Sequence, residues 1–283
     1  MEMVKLGWVG LGKMGVPMVS RLLGAGYGVT VYNRNRAKAA TVAVAAAVAE
    51  TPAKVAEAAD IVFVMVSDDA ATRAVFTGEN GLLKGGGNKI YVNMSSVSAE
   101  VSREMAAMAK VEGGAYVDAP VSGSVKQAEE GTLVVMVGAE ADLFERVKPV
   151  LSAMGKLVLN VGGTGVGNTA KLAINVLLAI HAQGLAESVV FARKHGVRAE
   201  DFLTIVNNSA MSNVFAKIKG DAILKENYQA AFALKHIAKD LGLAKGEGLD
   251  TPLADTAYRT YTDAEPALGE EDIIAVIKAV GGR

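Results

Sequence analysis

The sequence predicts an α/β protein with a doubly wound sheet in its N-terminal part and an all-α part after it. Three observations lead to this fold class. Short apolar runs of strand length alternate with helical patterns over residues 4–161, which is typical of a parallel sheet covered by helices on both faces. Strand patterns stop after a glycine cluster at residues 162–165. A nearly continuous apolar helix is predicted over residues 165–195, and we expect it to be buried and to link the two parts.

The composition indicates a soluble protein with a large core and a small-molecule partner. The chain has 283 residues, of which 51% are hydrophobic, and we expect two domains over residues 1–163 and 164–283. Its net charge of −1 gives no electrostatic reason to expect nucleic acid or a membrane surface as partner. Without cysteine it has no disulfide, no thiolate nucleophile and no cysteine-based metal site, and we predict no metal. The first residues lack a signal-peptide pattern, and no uninterrupted apolar run reaches about 18 residues, so we expect a cytoplasmic protein.

A glycine-rich turn follows the first predicted strand, residues 4–9. Gly10, Gly12 and Gly15 form the pattern G-x-G-x-x-G between that strand and a helix. The first glycine permits a tight turn, the second lets a pyrophosphate approach the backbone, and the third lets helix and strand pack closely. The helix N-terminus then presents amides to the phosphates. We therefore predict a Rossmann-type dinucleotide site with contacts at Gly10, Leu11, Gly12, Lys13 and Met14.

The second predicted strand, residues 28–32, ends without an acidic residue. An Asp or Glu at this position bonds the ribose 2′-hydroxyl in sites selective for NAD and repels a 2′-phosphate. Here Asn33 can bond the ribose, and Arg34 can pair with a phosphate and stack on adenine. We therefore predict NADP(H) in preference to NAD(H), with NAD still possible. The alternative is that Arg34 and Arg36 are solvated loop cations.

The next strands end in polar residues at the carboxyl edge of the sheet, where doubly wound folds bind ligands. After Arg36 we expect an alanine-rich helix and then a second helix that begins at Thr51-Pro52. Strands are predicted over residues 61–66 and 91–96. We expect cofactor contacts at Val66, Ser67 and Ser96. The alternative for both serines is a helix cap or a turn without a function.

A strand that begins at residue 116 runs into a loop with proline and glycine up to residue 124. The loop amides and the hydroxyls of Ser122 and Ser124 can hold an anionic group, although a plain turn uses the same residue types. Strands over residues 133–137 and 157–161, with a helix over 141–154 between them, complete the predicted sheet. The second domain is predicted to contain helices over residues 199–207, 214–219, 234–248, 252–262 and 273–280.

Three polar residues interrupt the apolar surface of the long predicted helix. Asn168, Lys171 and Asn175 fall within roughly 60° of one another around the helix axis. A lysine is rarely buried without a partner or a task, because removing its ammonium from water lowers its pKa toward the range useful for proton transfer. The helix alone leaves open the alternative of a structural lysine that reaches solvent. Hydrolase and zinc-site motifs are not found, and the three histidines are scattered.

Four segments resemble, in order, the signature segments of the β-hydroxyacid dehydrogenases. They are residues 10–18, 118–123 and 167–175, and the pair Lys239-Asp240. The resemblance implies hydride transfer between a nicotinamide cofactor and a small carboxylate-bearing substrate. It also implies the site residues: Lys171 as general acid/base, Asn175 orienting the substrate, Ser122 and Gly123 holding its carboxylate, and Lys239 and Asp240 lining the site.

Within this family, the chain is most similar to the glyoxylate and succinic semialdehyde reductase branch, which prefers NADPH. The similarity rests on Ser124 in place of a usual glycine, on residues 230–240 and on the turn at residues 210–213. It implies that Phe232 and Asp240 shape the substrate end, next to Ser124 in the carboxylate loop, and that Lys239 approaches the cofactor.

Other activities and partners stay open. One alternative is a dehydrogenase for 3-hydroxyisobutyrate or another 3-hydroxy acid that uses NAD(P)⁺, and a more distant one is a cofactor-binding scaffold without catalysis. Imine reductases usually lack the lysine, and 6-phosphogluconate dehydrogenase has a larger helical domain. We also expect a homo-oligomer, because one small domain can hardly cover every face of the long helix.

Overall fold

The computed structural model describes residues 4–282. By its internal contacts the chain divides into two compact units, Met1–Lys171 and Leu172–Arg283. The division falls inside the long helix, Val166–Lys194, which we label α7. The domain boundary predicted after residue 163 stays a prediction.

The first unit is built on one mixed sheet. The strand order is β3-β2-β1-β4-β5-β6-β8-β7, with β9 also pairing with β8. Strands β1 to β6 pair in parallel, whereas β8 runs antiparallel to β6 and β7. The strands are β1 Leu6–Val9, β2 Val29–Tyr32, β3 Ala47–Val48, β4 Ile61–Val64, β5 Ile90–Asn93, β6 Ala115–Asp118, β7 Val121–Ser122, β8 Leu133–Gly138 and β9 Gly155–Gly162.

The order in which the chain adds strands reverses at β1: β2 and β3 lie on one side of it, and β4, β5 and β6 lie on the other. In doubly wound sheets such a reversal opens a crevice at the carboxyl ends of the strands on either side of it, here β1 and β4, and nucleotides bind there. The doubly wound fold predicted from the sequence is confirmed. The α-helices around this sheet, among the described residues, are α1 Gly15–Gly24, α2 Pro52–Ala58, α3 Asp69–Thr77, α4 Ala99–Val111, α5 Val125–Glu130 and α6 Ala141–Leu151.

Apolar side chains cover both faces of the sheet. On one face Trp8 of β1 stacks on Phe63 of β4, with 5.6 Å between the ring centroids. On the other face Phe76 packs edge-on against Tyr91 at 5.5 Å. All four side chains are fully buried. This two-sided burial explains why the strands read as continuous apolar runs in the sequence.

The alanine-rich helix expected after Arg36 is wrong. The segment instead forms a short 3₁₀ helix, Arg36–Thr41, then turns, then β3. Alanine favours a helix but buries little surface, and tertiary pairing overrides such weak preferences. Val48 here pairs with Val31 of β2. The following helix begins as predicted, because the Thr51 side chain accepts a hydrogen bond from the amide of Lys54.

The second unit is helical, as predicted. Its core is formed by large apolar residues such as Ile237 and Tyr261, both fully buried. The phenol of Tyr261 donates to the carbonyl oxygen of Ala179 on α7 at 3.4 Å. The helices after α7 are α8 Ala199–Asn207, α9 Val214–Leu224, α10 Leu234–Gly246, α11 Pro252–Leu268, a 3₁₀ helix Ile273–Ala275 and α12 Val276–Gly281.

Helix α7 has the predicted length but is not buried on all sides. Leu177 is 59% exposed and Phe191 66% exposed. The expectation of a wholly buried helix is therefore wrong for the single chain, since the helices of one small unit cover only part of its circumference. Within residues 4–282, α7 is also the one helix long and apolar enough to span a membrane by length and composition, a test that core helices of soluble proteins pass as well.

Candidate active site

The glycine-rich turn has the geometry that a dinucleotide requires. Gly10 adopts a φ of +104°, and a side chain on it would overlap the carbonyl oxygen of Met65. A side chain on Gly15 would overlap the carbonyl oxygen of Gly10. A Cβ on Gly12, by contrast, would have no atom within 4 Å. The fold therefore needs the first and third glycines, while the open space at the second is where a pyrophosphate would approach the backbone.

The helix that follows this turn leaves its first amides without a side-chain cap. Met14 is the N-cap residue of α1 and provides no side-chain hydrogen bond to the first turn. Helix N-termini of this kind bind phosphate through backbone N–H groups and the positive end of the helix dipole. The residues present therefore fit a dinucleotide. Leu11 is buried in this turn, Lys13 is exposed and Met14 is half-buried.

Asn33 connects the end of β2 to the glycine-rich turn. Its side-chain oxygen accepts a hydrogen bond from the Leu11 amide at 2.8 Å, and its amide group donates to the carbonyl oxygen of Asn35 at 2.8 Å. This structural role was not predicted, and the ribose contact stays a prediction. Arg34 is exposed, whereas Arg36 forms an exposed ion pair with Glu50 at 3.5 Å.

The carboxyl ends of β4 and β5 are joined by hydrogen bonds. The Val66 amide donates to the hydroxyl of Ser95 at 2.8 Å, and the Ser95 amide donates to the side-chain oxygen of Asn93 at 3.0 Å. Sequence reasoning missed Ser95 and Asn93, both of which are fully buried. Their only sequence signal was their position at a strand end. The predicted contact Ser96 is half-buried beside them.

Ser67 is exposed and donates to the carboxylate of Asp68 at 2.7 Å. Asp68 is the N-cap of α3, because its other oxygen accepts from the Ala71 amide at 2.8 Å. The cap at this helix is thus the aspartate and not the serine, so the cap alternative for Ser67 is wrong. A cofactor contact at Ser67 stays a prediction.

Ser124 caps helix α5. Its amide donates to the side-chain oxygen of Gln127 at 2.8 Å, and its hydroxyl donates to the same oxygen at 2.6 Å. Gly123 before it adopts a φ of +137°, a conformation that favours glycine. Ser122 is half-buried at the end of β7. The hydroxyl of Ser124 therefore has a structural partner, which the sequence pattern of a capping box, Ser-x-x-Gln, could have revealed.

Asp118, the first residue of the segment 118–123, was not predicted as a site residue, and it is fully buried at the end of β6. One carboxylate oxygen accepts from the Gly165 amide at 2.7 Å and the other from the Asn168 amide at 2.8 Å. Burial raises the pKa of Asp118 above its ordinary value, and these backbone hydrogen bonds oppose the rise. Asp118 thereby binds the backbone amides at the first turn of α7, the helix that carries Lys171.

Helix α7 carries the two predicted catalytic residues one turn apart. Lys171 and Asn175 are spaced i, i+4 and therefore lie on the same side of the helix. Lys171 is 8% exposed and Asn175 is 3% exposed. Lys171 is the last residue of the first unit, and Asn175 belongs to the second.

Three predicted residues lie together in the second unit. The Asn175 amide group donates to one carboxylate oxygen of Asp240 at 2.5 Å, and the Lys239 ammonium lies 3.0 Å from the other. Asp240 is buried at 2% exposure. Its carboxylate thus fixes the orientation of the Asn175 amide, which is a contact that sequence spacing did not predict.

Phe232, the predicted substrate-end residue, is half-buried on a loop held by a buried ion pair. Asp272 accepts from the amides of Ala231 at 3.1 Å and Phe232 at 3.4 Å, and it pairs with Lys219 at 2.7 Å. Sequence reasoning missed this pair. An aspartate just before the apolar run at residues 273–277 was an available cap signal, and Asp272 does accept from the Ile274 amide at 3.2 Å.

Two family models together match almost the whole chain. The model described as the NAD binding domain of 6-phosphogluconate dehydrogenase matches residues 5–163. The model described as 'NAD-binding of NADP-dependent 3-hydroxyisobutyrate dehydrogenase' matches residues 165–280.

Curated relatives and solved structures are similar over nearly their full lengths. The chain is 38% identical to 2-(hydroxymethyl)glutarate dehydrogenase of Eubacterium barkeri, covering 97% of this chain and 94% of the relative. It is 35% identical to glyoxylate/succinic semialdehyde reductase 1 of Arabidopsis thaliana, covering 98% of each. The structure of Mycobacterium tuberculosis 3-hydroxyisobutyrate dehydrogenase with L-serine superposes with a TM-score of 0.90 at 28% identity, covering 98% of this chain and 99% of that one.

Proposed function

Because the chain belongs to the β-hydroxyacid dehydrogenase family, and is therefore an NAD(P)-dependent oxidoreductase, we propose that it reduces a small carboxylate-bearing aldehyde with NADPH. The proposed substrates are glyoxylate and succinic semialdehyde, and Lys171 is the general acid. The observation that carries this proposal is the pair Lys171 and Asn175 on one side of α7, with Asn175 held by Asp240.

The protein residues supply the proton and the orientation of the substrate. When bound, the reduced nicotinamide supplies the hydride that adds to the carbonyl carbon. The Lys171 Nζ donates a proton to the carbonyl oxygen during reduction and accepts one from the hydroxyl during oxidation. Asn175 orients the substrate with an amide that Asp240 fixes, and Ser122 and Gly123 hold the carboxylate. Binding energy at that remote carboxylate thereby becomes orientation at the reacting carbon.

A second candidate is the oxidation of a 3-hydroxy acid with NAD(P)⁺. Two observations favour it. The relative with 38% identity is named for a dehydrogenase of 2-(hydroxymethyl)glutarate. The hydroxyl of Ser124, one basis of the reductase interpretation, is occupied by Gln127 in the cap of α5.

One assay separates the two candidates. The absorbance of the reduced nicotinamide is followed with NADPH and with NADH against glyoxylate and succinic semialdehyde. In the oxidative direction, NADP⁺ and NAD⁺ are tested against 3-hydroxyisobutyrate and 2-(hydroxymethyl)glutarate. Rapid NADPH oxidation with little turnover of the hydroxy acids supports the reductase. The opposite pattern replaces it with the 3-hydroxy acid dehydrogenase.

Replacement of the lysine tests its chemical role. We expect Lys171→Ala to lower kcat by about 10²- to 10⁴-fold, because a general acid/base contributes on that order, while NADPH binding stays within about twofold. The matched control is Lys194→Ala, which removes an exposed lysine from the other end of the same helix. An unchanged kcat, or a loss of NADPH binding as large as the loss of rate, contradicts the assignment.

We propose that Arg34 gives the preference for NADPH. Its guanidinium is exposed at the end of β2, next to Asn33, and can pair with a 2′-phosphate. We expect Arg34→Ala to raise the KM for NADPH by about 10- to 150-fold and to leave the KM for NADH unchanged, since one charge-assisted contact is worth about 1.5 to 3 kcal/mol and each 1.4 kcal/mol is about tenfold. Arg36→Ala is the matched control. Equal effects of Arg34→Ala on both cofactors contradict the proposal.

We also propose a homo-oligomer. The exposed apolar side chains of Leu177 and Phe191 on α7 support it, because large apolar side chains left exposed on a helix are typical of a surface that a second subunit covers. Light scattering after size exclusion tests it, and a monomeric mass contradicts it.

A further inference from the structure

The first turn of α7 is held by a carboxylate from a different part of the sequence. The amides at a helix N-terminus lack partners within the helix. Here the Gly165 and Asn168 amides donate to opposite oxygens of Asp118, which is 47 and 50 residues earlier in the sequence. A negative charge at this end of a helix is favoured by the helix dipole, and charge-assisted hydrogen bonds are stronger than neutral ones. Asp118 thereby fixes where α7 starts relative to β6.

The hydrogen bonds to Asp118 are one attachment of the first turn of α7 to the rest of the unit, and the Asn168 side chain provides a second. Its oxygen accepts from the Val97 amide at 3.0 Å, and its amide group donates to the hydroxyl of Ser102 on α4 at 3.1 Å. Asn168 is fully buried. One attachment fixes the axial position of the first turn, and the second, to Val97 and to Ser102 on α4, also restricts its rotation about the helix axis.

The attachments continue through buried polar groups to the strand ends. Ser102 also hydrogen-bonds the phenol of Tyr116, which accepts from the Asn93 amide group at 3.0 Å. Asn93 in turn accepts from the Ser95 amide at 3.0 Å, and Ser95 accepts from the Val66 amide at 2.8 Å. A continuous set of hydrogen bonds, buried except at its start, therefore runs from Val66, a predicted cofactor contact, to the first turn of α7.

The surrounding backbone leaves space for this carboxylate and for little else. A Cβ on Gly167 would lie 2.6 Å from the Met136 carbonyl oxygen and 2.8 Å from a carboxylate oxygen of Asp118. A Cβ on Gly138 would overlap the other carboxylate oxygen. The two glycines let β8 and α7 close around the Asp118 side chain, so its position is tightly constrained.

We propose that Asp118 and Asn168 are positioning residues that set the place of Lys171 for proton transfer. This inference rests on the proposed role of Lys171 as general acid/base. Lys171 follows Asn168 by three residues on α7, so a shift or rotation of the first turn moves its backbone directly. A misplacement of about 1 Å at a reacting group can reduce the rate by about 10²-fold.

The test begins with Asp118→Asn, which keeps one oxygen acceptor but turns an NH₂ group toward a backbone N–H. We expect kcat to fall by about 10- to 100-fold while the KM for NADPH stays within about twofold. We also expect faster amide exchange over residues 165–169. The matched control is Thr51→Ala, which removes the side-chain cap of α2 in the same unit without touching α7. It should leave kcat and that exchange unchanged.

A double variant tells whether Asp118 acts through Lys171. If it does, Asp118→Asn combined with Lys171→Ala is no slower than Lys171→Ala alone. Multiplied losses in the double variant, or an unchanged kcat in Asp118→Asn, overturn the inference while the role of Lys171 stands. An unchanged kcat in Lys171→Ala instead overturns the proposed function.

Asn168→Ala provides a second route if Asp118→Asn does not fold. It removes the bonds to Val97 and Ser102 and keeps the carboxylate. The expected result is the same: a lower kcat, an unchanged KM for NADPH and no further loss in the Lys171→Ala background. An unchanged kcat overturns the inference here as well.

Discussion

Asp118 in the first unit and Asp272 in the second are both buried carboxylates that accept backbone N–H bonds. Asp272 also pairs with Lys219, which is itself 7% exposed, so its charge is balanced inside the core. Within residues 4–282, Asp118 forms no ion pair with a lysine or arginine, and burial raises its pKa. The pair of Asp272 and Lys219 stabilises a loop, whereas Asp118 places a disfavoured charge at the start of α7.

This difference indicates what each carboxylate contributes. Burying a charge is unfavourable unless a partner compensates it, and a balanced pair becomes very unfavourable when one partner is lost. A buried carboxylate without a cationic partner is not expected to stabilise the protein strongly. Its presence is better explained if it positions a neighbouring functional group. The following predictions test whether Asp272 serves mainly stability and Asp118 mainly position.

The largest expected effect on stability is at the balanced pair. Lys219→Met removes the cation and leaves the Asp272 carboxylate buried, so we expect the free energy of unfolding in urea to fall by about 3 to 5 kcal/mol. The control Lys219→Met combined with Asp272→Asn removes both charges and should recover most of the loss. A loss below about 1 kcal/mol in the single variant would mean that the pair contributes no more than an exposed one.

A smaller effect, with a defined pH dependence, is expected at Asp118. Its folded pKa is raised above the ordinary value, mainly by burial, so its contribution to stability is present below the unfolded pKa and is lost as the pH rises through the folded pKa. The nearby ionisable group on the same strand, Tyr116, stays neutral in this range because burial raises its pKa. The unfolding free energy of the wild type minus that of Asp118→Asn should therefore decrease as the pH rises above about 4, the ordinary pKa of an aspartate.

Urea unfolding of both proteins across this range measures the difference. Carboxylates elsewhere titrate equally in both proteins, so they cancel in the subtraction. A difference that increases with pH would mean that the amide bonds outweigh burial. In that case Asp118 would resemble Asp272 as a stabilising group.

The sequence predicted the parts of the site that are local along the chain. The turn around Gly10, Gly12 and Gly15 depends on neighbouring residues, so its strand, turn and helix could be predicted in order. The same is true of Lys171 and Asn175, whose common side follows from helix periodicity. The polar segments after β4 and β5 followed from the alternation of strands and helices, although these strands end at Val64 and Asn93 and not at residues 66 and 96 as predicted.

The sequence could not predict the contacts that join distant segments. Asp118 meets α7 across 47 residues, and Lys219 meets Asp272 across 53. Only tertiary packing creates such pairs, and no local period encodes them. The prediction of a helix in the alanine-rich segment after Arg36 was wrong for a related reason, because pairing with β2 determines the conformation of that segment. Asn175 and Asp240 were each predicted by resemblance, but their hydrogen bond was not.

The smallest effect is expected at a third carboxylate that has a cation but no burial. Asp201 accepts two hydrogen bonds from Arg198 at 2.8 Å, and both side chains are more than half exposed. The hydrogen bond from Arg198 lowers the pKa of Asp201, yet water screens an exposed pair. We therefore expect Arg198→Gln to leave the urea midpoint and kcat unchanged within error. A shift of the urea midpoint as large as the one caused by Lys219→Met would mean that Asp272 stabilises the protein through its ion pair and not through its burial. The difference between Asp272 and Asp118 would then depend only on the presence of a cation.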